Sequence, residues 1–270
     1  IGMKVRVFEA GTGVGGTWYW NRYPGARFDS ESYSYAYSFS QELLDEWDWS
    51  EHFASQPEIL RYLQHVADRF DLIKDIRFSS DVRSALYSDD TRSWQIQLQD
   101  GSIYRSRFLI TGIGILSEPT LPKIEGIESF KGHSFHTSRW PHTPVNLAGK
   151  KVAVVGTGAT GVQTIQEVCK DAGHLTVFQR RPNWCAPLHN SNIKPDDMKV
   201  IRSGYKEMFE LCAQTRAGFL LDFLQITLRH STFLPIPRLQ TNLSAIDVLR
   251  IQSGLYTMQI HPRYWSGQQS

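Results

Sequence analysis

Cysteine is scarce in this chain: Cys169, Cys185 and Cys212 are three in 270 residues, with no CxxC pair and no metal-ligand spacing. Such an odd, sparse set supports neither a disulfide framework nor a thiol relay, and it implies a reducing compartment, the cytoplasm. An excess of one charge is lacking too. Lys and Arg number 29 against 27 Asp and Glu, a net +2, which gives no argument for a nucleic acid or a membrane surface as partner. No long apolar run is present. The most apolar late stretch, AGFLLDFLQITLRHSTFLPI, is interrupted by Asp222 and Arg229 before it could span a bilayer, and no signal peptide is visible. There is no repeat of solenoid length and no low-complexity tract. The chain opens on Ile1, and MKVRVFEA already reads as a strand in mid-fold, so a cut N-terminus is expected.

What the chain has is glycine beside aromatics. Residues 11–29, GTGVGGTWYWNRYPGARFD, hold five glycines, a proline, two tryptophans and two tyrosines. A core strand does not tolerate so many glycines, and a disordered linker does not carry so many aromatics. Around this loop the elements follow from pattern. Residues 4–10 (KVRVFEA) read as a short β-branched strand ending in a carboxylate. Residues 57–72 place Ile59, Leu60, Leu63, Val66, Ala67 and Phe70 at helical spacing, with Pro57 suited to the first turn. Three strands are expected between 76 and 114. Asp-Asp and Asp-Gly turns divide them, and the last runs into Gly112 and Gly114. A link carrying Pro119, Pro122, Pro141 and Pro144 follows.

The strongest mechanistic signal comes next. KVAVV (151–155) is a buried parallel-type strand, followed at once by Gly156, Thr157, Gly158, Ala159, Thr160 and Gly161, then by the apolar-periodic helix of Val162, Ile165 and Val168. GxGxxG between strand and helix is the dinucleotide-binding arrangement. The first glycine makes the turn, the second lets pyrophosphate touch backbone, and the third lets helix and strand pack closely. An NAD site would carry an acid at the end of the second strand, near 179. Here stand Gln179, Arg180 and Arg181, which favour the 2′-phosphate of NADP(H).

VRVFE (5–9) also reads as the second strand of such a unit, ending in Glu9, the expected ribose ligand. Its own glycine motif would precede the first residue, so two dinucleotide sites are expected, the first half present. Gly15 and Gly16 would let backbone approach a flat ligand, with Trp18, Tyr19 and Trp20 walling a planar ring.

At these residues the chain resembles the Baeyer–Villiger monooxygenases, flavoproteins that use FAD, NADPH and O2. The stretch from Phe8 through SQPEILRY carries the likeness, and the family's FxGxxxHxxxWP fingerprint stands intact as FKGHSFHTSRWP, with Phe130, Gly132, His136, Trp140 and Pro141. The likeness runs from residue 4 to about 219. It implies an α/β fold with two dinucleotide-binding, Rossmann-like domains, the FAD domain incomplete: 1–140 partial FAD domain, 141–219 start of the NADP domain, 220–270 a divergent tail. It also implies a reaction, oxygen insertion beside a ketone carbonyl by way of a C4a-peroxyflavin, giving an ester or lactone.

By position, the resemblance puts Glu9 on the FAD ribose. Thr17, Trp18, Tyr19 and Trp20 would lie along the flavin and its phosphates, and Asp29 and Tyr35 near its ring. Val82 would meet the adenine, and Arg27, Phe28 and Asp29 would border the nicotinamide. Residues Thr157, Gly158, Ala159, Thr160, Gly161, Val162 and Gln163 would hold the NADP pyrophosphate, with Arg180 and Arg181 on its 2′-phosphate. Asp29, as a buried or half-buried carboxylate, would orient an active-site arginine. His136 and Trp140 would couple the domains, a role compatible with His136 being an ordinary hydrogen-bonded histidine. The arginine itself has no match: Arg229, Arg238, Arg250 and Arg263 lack its Gly/Lys/Arg-rich context, so this chain alone is expected to be inactive. The alternatives are an N- or S-oxidising flavin monooxygenase, against which the intact fingerprint argues, and a non-catalytic remnant that binds NADP(H) at most.

Overall fold

Strands in this chain form only where another strand lies alongside to complete the ladder. The structure, a computed structural model, describes residues 2–180, 183, 185, 188–215 and 218–220, with the backbone of Tyr256–Ile260. Arg181 and most of the 220–270 tail, including its four arginines, lie outside the described residues. The chain divides into two compact units, Ile1–Tyr23 with Pro57–Thr143, and Pro24–Gln56 with Pro144–Ser270.

In the first unit β1 (Val7–Phe8) pairs in parallel with β2 (Ile76–Arg77), and Glu9 N–H extends the ladder to the Arg77 carbonyl at 3.0 Å. The strand expected over 4–10 is thus shorter, because residues 4–6 have no neighbouring strand among the described residues. The glycine-rich loop leads to α1 (Thr17–Trp20), which buries Trp18 and Tyr19. Helix α3 (Gln56–Arg69) keeps Ile59, Tyr62, Val66 and Ala67 inside, one stripe at helical spacing, and Asp71 ends the segment at a left-handed φ of 50°. Strands β3 (Val82–Ser88), β4 (Ser93–Leu98) and β5 (Ile103–Ser106) form an antiparallel meander, turning at the two pairs of residues that the sequence marks. The third strand stops at Ser106 instead of running on to Gly112. Residues 107–116 form no regular element, and Ile110, Ile113 and Ile115 stand exposed.

The second unit is built on a βαβ crossover. Strands β6 (Lys151–Val155) and β7 (His174–Gln179) pair in parallel, Lys151 opposite His174 through Val155 opposite Phe178, and α4 (Ala159–Asp171) connects them. Val168, Ala172, Leu175 and Val177 form one buried cluster, with Leu147, Val152, Val154, Ile165 and Cys169 packed on it. β8 (Tyr256–Ile260) joins the far edge of β7 antiparallel. Helix α2 (Gln41–Glu46) starts at Ser40, whose hydroxyl accepts from Leu43 N–H at 3.2 Å, and it buries Leu43 and Leu44. Helices α5 (Pro195–Ser203) and α6 (Tyr205–Gln214) follow. Buried Glu31 has no donor to Oε2 among the described residues, and burial raises its carboxyl above the ordinary range.

Candidate functional site

The glycine turn between β6 and α4 has the form a nucleotide needs. Gly156 takes a φ of +105°, which side chains rarely adopt, and its N–H is held by the Phe178 carbonyl at 2.8 Å. A Cβ at Gly161 would lie 2.5 Å from the Gly156 carbonyl oxygen, so only glycine lets α4 approach the turn this closely. At Gly158 a Cβ would meet nothing within 4 Å, and no side chain caps the helix there. Ala159, Thr160 and Val162 continue into the first turns of α4, whose leading amides therefore remain available to an anion. Gln179 stands at the end of β7 where an NAD site would have an acid, and its Nε2 donates to Thr157 Oγ1 at 2.9 Å. Arg180 follows, exposed. Turn, helix end and arginine together fit a 2′-phosphorylated dinucleotide.

In the same unit, the end of the opening loop docks on α4. A Cβ at Gly25 would come within 2.6 Å of the Gln163 carbonyl oxygen, and its φ of +79° already requires glycine. Arg27 N–H donates to Gln163 Oε1 at 3.3 Å. Gln163 Nε2 returns a bond to the Arg27 carbonyl at 3.1 Å and donates to Asp29 Oδ1 at 2.7 Å. The side chain of Gln163, expected on the pyrophosphate, is thus directed to the loop. The Arg27 guanidinium is held by Glu51 Oε2 at 3.1 Å and the Phe53 carbonyl at 3.0 Å. Asp29 is exposed, not buried or half-buried as expected. Among the described residues an amide, Gln163 Nε2, donates to it. Phe28 packs against Tyr35 with the rings tilted and their centroids 4.1 Å apart, and meets Phe219 edge-on at 5.4 Å.

The first unit closes its loop on itself. Glu9 follows β1, and its Oε1 accepts from Gly11 N–H at 2.7 Å, a carboxylate after a parallel strand, suited to ribose hydroxyls. The Tyr19 hydroxyl meets Thr12 Oγ1 at 2.6 Å. Gly15 packs against α3, where a Cβ would sit 2.5 Å from Leu60 Cδ1, whereas Gly16 faces open space. Trp18 and Tyr19 are buried, Trp20 is half-buried and Thr17 is exposed. Val82 is exposed at the start of β3.

The fingerprint residues have local reasons of their own. The Phe130 ring lies over Gly132, where a Cβ would meet it at 2.5 Å. His136 caps a 3₁₀ turn over Thr137–Arg139: its Nδ1 accepts from Ser138 N–H at 3.2 Å and faces Ser138 Oγ at 2.8 Å. Half-buried Trp140 packs on Phe135, ring centroids 5.5 Å apart. Losing the cap in His136→Ala is expected to cost about 1 kcal/mol of stability. Thermal unfolding of the variant checks this: a midpoint equal to the parental one would show that the turn does not depend on His136.

Sequence reasoning missed several partners. Arg139, a variable position of the fingerprint, lies over the Trp20 ring at 5.3 Å, and His142 meets Tyr19 edge-on at 5.9 Å. Asn190 donates to Glu51 Oε2 at 2.7 Å and so steadies the carboxylate that holds Arg27. No local pattern announces such pairs. Gly25 did carry a signal, since a glycine between proline and alanine in an aromatic loop marks a forced turn or close contact.

Residues 2–232 match the flavin-binding monooxygenase-like family, slightly beyond the 4–219 expected from the fingerprints. The chain is 48% identical over 224 residues to 2-oxo-Δ3-4,5,5-trimethylcyclopentenylacetyl-CoA monooxygenase of Pseudomonas putida, covering 81% of this chain and 41% of the relative. It is 41% identical to phenazine N-monooxygenase PhzNO1 of Lysobacter antibioticus, covering 78% of this chain and 39% of the relative. Among solved structures, OTEMO in complex with FAD and NADP superimposes with a TM-score of 0.77 at 49% identity, covering 81% of this chain and 42% of that one. The chain thus spans about two fifths of the length of the relatives it matches. Among the described residues, no helix is long and apolar enough to cross a membrane.

Proposed function

This chain belongs to the flavin-binding monooxygenase-like family, and from that premise we propose that it carries the nucleotide-handling parts of an FAD- and NADPH-dependent Baeyer–Villiger monooxygenase. The proposed net reaction joins ketone, O2, NADPH and a proton to give ester or lactone, NADP+ and water. The observation that carries the reading is the uncapped α4 terminus behind Gly156, Gly158 and Gly161, with Gln179 and Arg180 where an acid would serve NAD.

The residues divide the work. The α4 amides and the turn backbone hold the pyrophosphate, and Arg180 with Arg181 takes the 2′-phosphate. Glu9 accepts from the ribose of FAD, and bound FAD supplies the oxygen-activating chemistry. Asp29 provides a fixed negative charge that orients a cation, and the turn at His136 and Trp140 relays between nucleotide steps. In this reading 1–140 belongs to the flavin part, 141–219 opens the NADP part, and 220–270 has no assigned role. Ketone and O2 are the proposed small-molecule partners, and the scarcity of cysteine supports a reducing compartment such as the cytoplasm.

The phenazine-oxidising relative favours a second reading, oxidation at nitrogen, because its identity to this chain approaches that of ketone-oxidising relatives. The test is a full-length protein supplied with FAD, NADPH and O2 and offered a cyclic ketone, a phenazine and a sulfide in parallel. Lactone from the ketone is the expected product. N-oxide or S-oxide with no lactone would replace the proposal.

A further inference from the structure

We propose that Gln163 is a positioning residue for Asp29: one buried amide on the nucleotide-binding helix sets the direction in which that carboxylate points. This rests on the function proposed above and goes beyond the pyrophosphate role that the resemblance gave Gln163.

The geometry is specific. Gln163 is 9% exposed and stands one turn into α4. Its Oε1 accepts from Arg27 N–H at 3.3 Å, and its Nε2 donates to the Arg27 carbonyl at 3.1 Å and to Asp29 Oδ1 at 2.7 Å. An amide is the group that offers one acceptor and two donors in one plane. The backbone fit at Gly25, a Cβ distance of 2.6 Å to the Gln163 carbonyl, holds loop and helix at this spacing from a second point. The neighbouring Thr164 is buried, and its Oγ1 donates to the Thr160 carbonyl at 2.8 Å. Asp29 is exposed, and without the amide its carboxylate would rotate among staggered rotamers. Misplacing a reacting group by about 1 Å is enough to cost up to ~10²-fold in rate.

Two substitutions separate positioning from nucleotide contact. Gln163→Met keeps length and removes donor and acceptor; Gln163→Glu keeps shape and makes the donor depend on a proton. On the chain as it stands, amide hydrogen exchange at Arg27 should quicken roughly fivefold or more in Gln163→Met. In the full-length enzyme the same change should lower ester formed per NADPH roughly tenfold, with NADPH affinity close to parental. For Gln163→Glu the ratio should be near parental at low pH, where the neutral acid donates to Asp29, and should fall as pH rises and two carboxylates face each other. NADPH affinity that drops sharply with the ratio unchanged would overturn the proposal and return Gln163 to the nucleotide. Unchanged exchange at Arg27 would overturn it as well. A parent that forms no ester overturns the proposed function instead, and the exchange rate, read without ketone, then decides whether the tether exists.

Discussion

Replacing Arg180 and Arg181 together with alanine is expected to weaken NADPH binding by roughly 10²–10⁴-fold and to leave NADH binding nearly unchanged. Each guanidinium that bonds a phosphate contributes about 1.5–3 kcal/mol, and every ~1.4 kcal/mol is a factor of ten. Arg180 is exposed at the end of β7, where a 2′-phosphate would meet it in place of bulk water. Gln179 is no substitute, because its amide is bound to Thr157 and carries no charge. Dissociation constants for both nucleotides, measured by flavin or nicotinamide fluorescence in the full-length protein, check this. Equal weakening of the two would show that the arginines act on fold or pyrophosphate and not on the 2′-phosphate.

The second large effect concerns Asp29. Asp29→Asn is a clean probe because the asparagine carbonyl can still accept from Gln163 Nε2, so the 2.7 Å contact survives while the charge goes. If the charge orients a cation during oxygen transfer, ester formation should slow by roughly 10²-fold, the scale of losing one preorganised electrostatic partner. NADPH would continue to be consumed, its electrons leaving as hydrogen peroxide. Asp29→Ala should do the same and also loosen the loop. The competing account makes Asp29 a turn residue that serves its neighbours, and then asparagine should be nearly silent. Ester formed per NADPH oxidised decides: a ratio near parental in Asp29→Asn ends the catalytic account.

Features that rest on a local steric demand were legible in the sequence. Gly161 is glycine because a neighbouring carbonyl leaves no room, and GxGxxG encodes that wherever it stands between strand and helix. The helix over Gln56–Arg69 and the two hairpin turns likewise follow from spacing and turn chemistry within a few residues. Strand lengths were not legible, because a strand exists only with its neighbour. β1 shrank to Val7–Phe8, and the apolar run 107–116 formed no strand although its residues favour one. The contact between Gln163 and Asp29 was not legible either. It joins positions 134 apart, and a glutamine in a helix looks the same whether it faces solvent or a carboxylate. Each residue was singled out, but on separate grounds.

The seat of Gly25 on α4 bears on how such proteins can be recombined. Because Pro24–Gln56 groups with Pro144–Ser270, a chimera made by one crossover near residue 143 would graft a foreign α4 beneath a native Gly25–Asp29 loop. Any partner whose helix bears a bulkier or non-amide residue at 163 would then inherit a mismatched seam, even with both halves individually sound. Crossovers at 23/24, 56/57 and 143/144 move the loop and its helix as one cassette, and libraries built on those three joints should yield more folded, nucleotide-binding members than libraries built on the single joint.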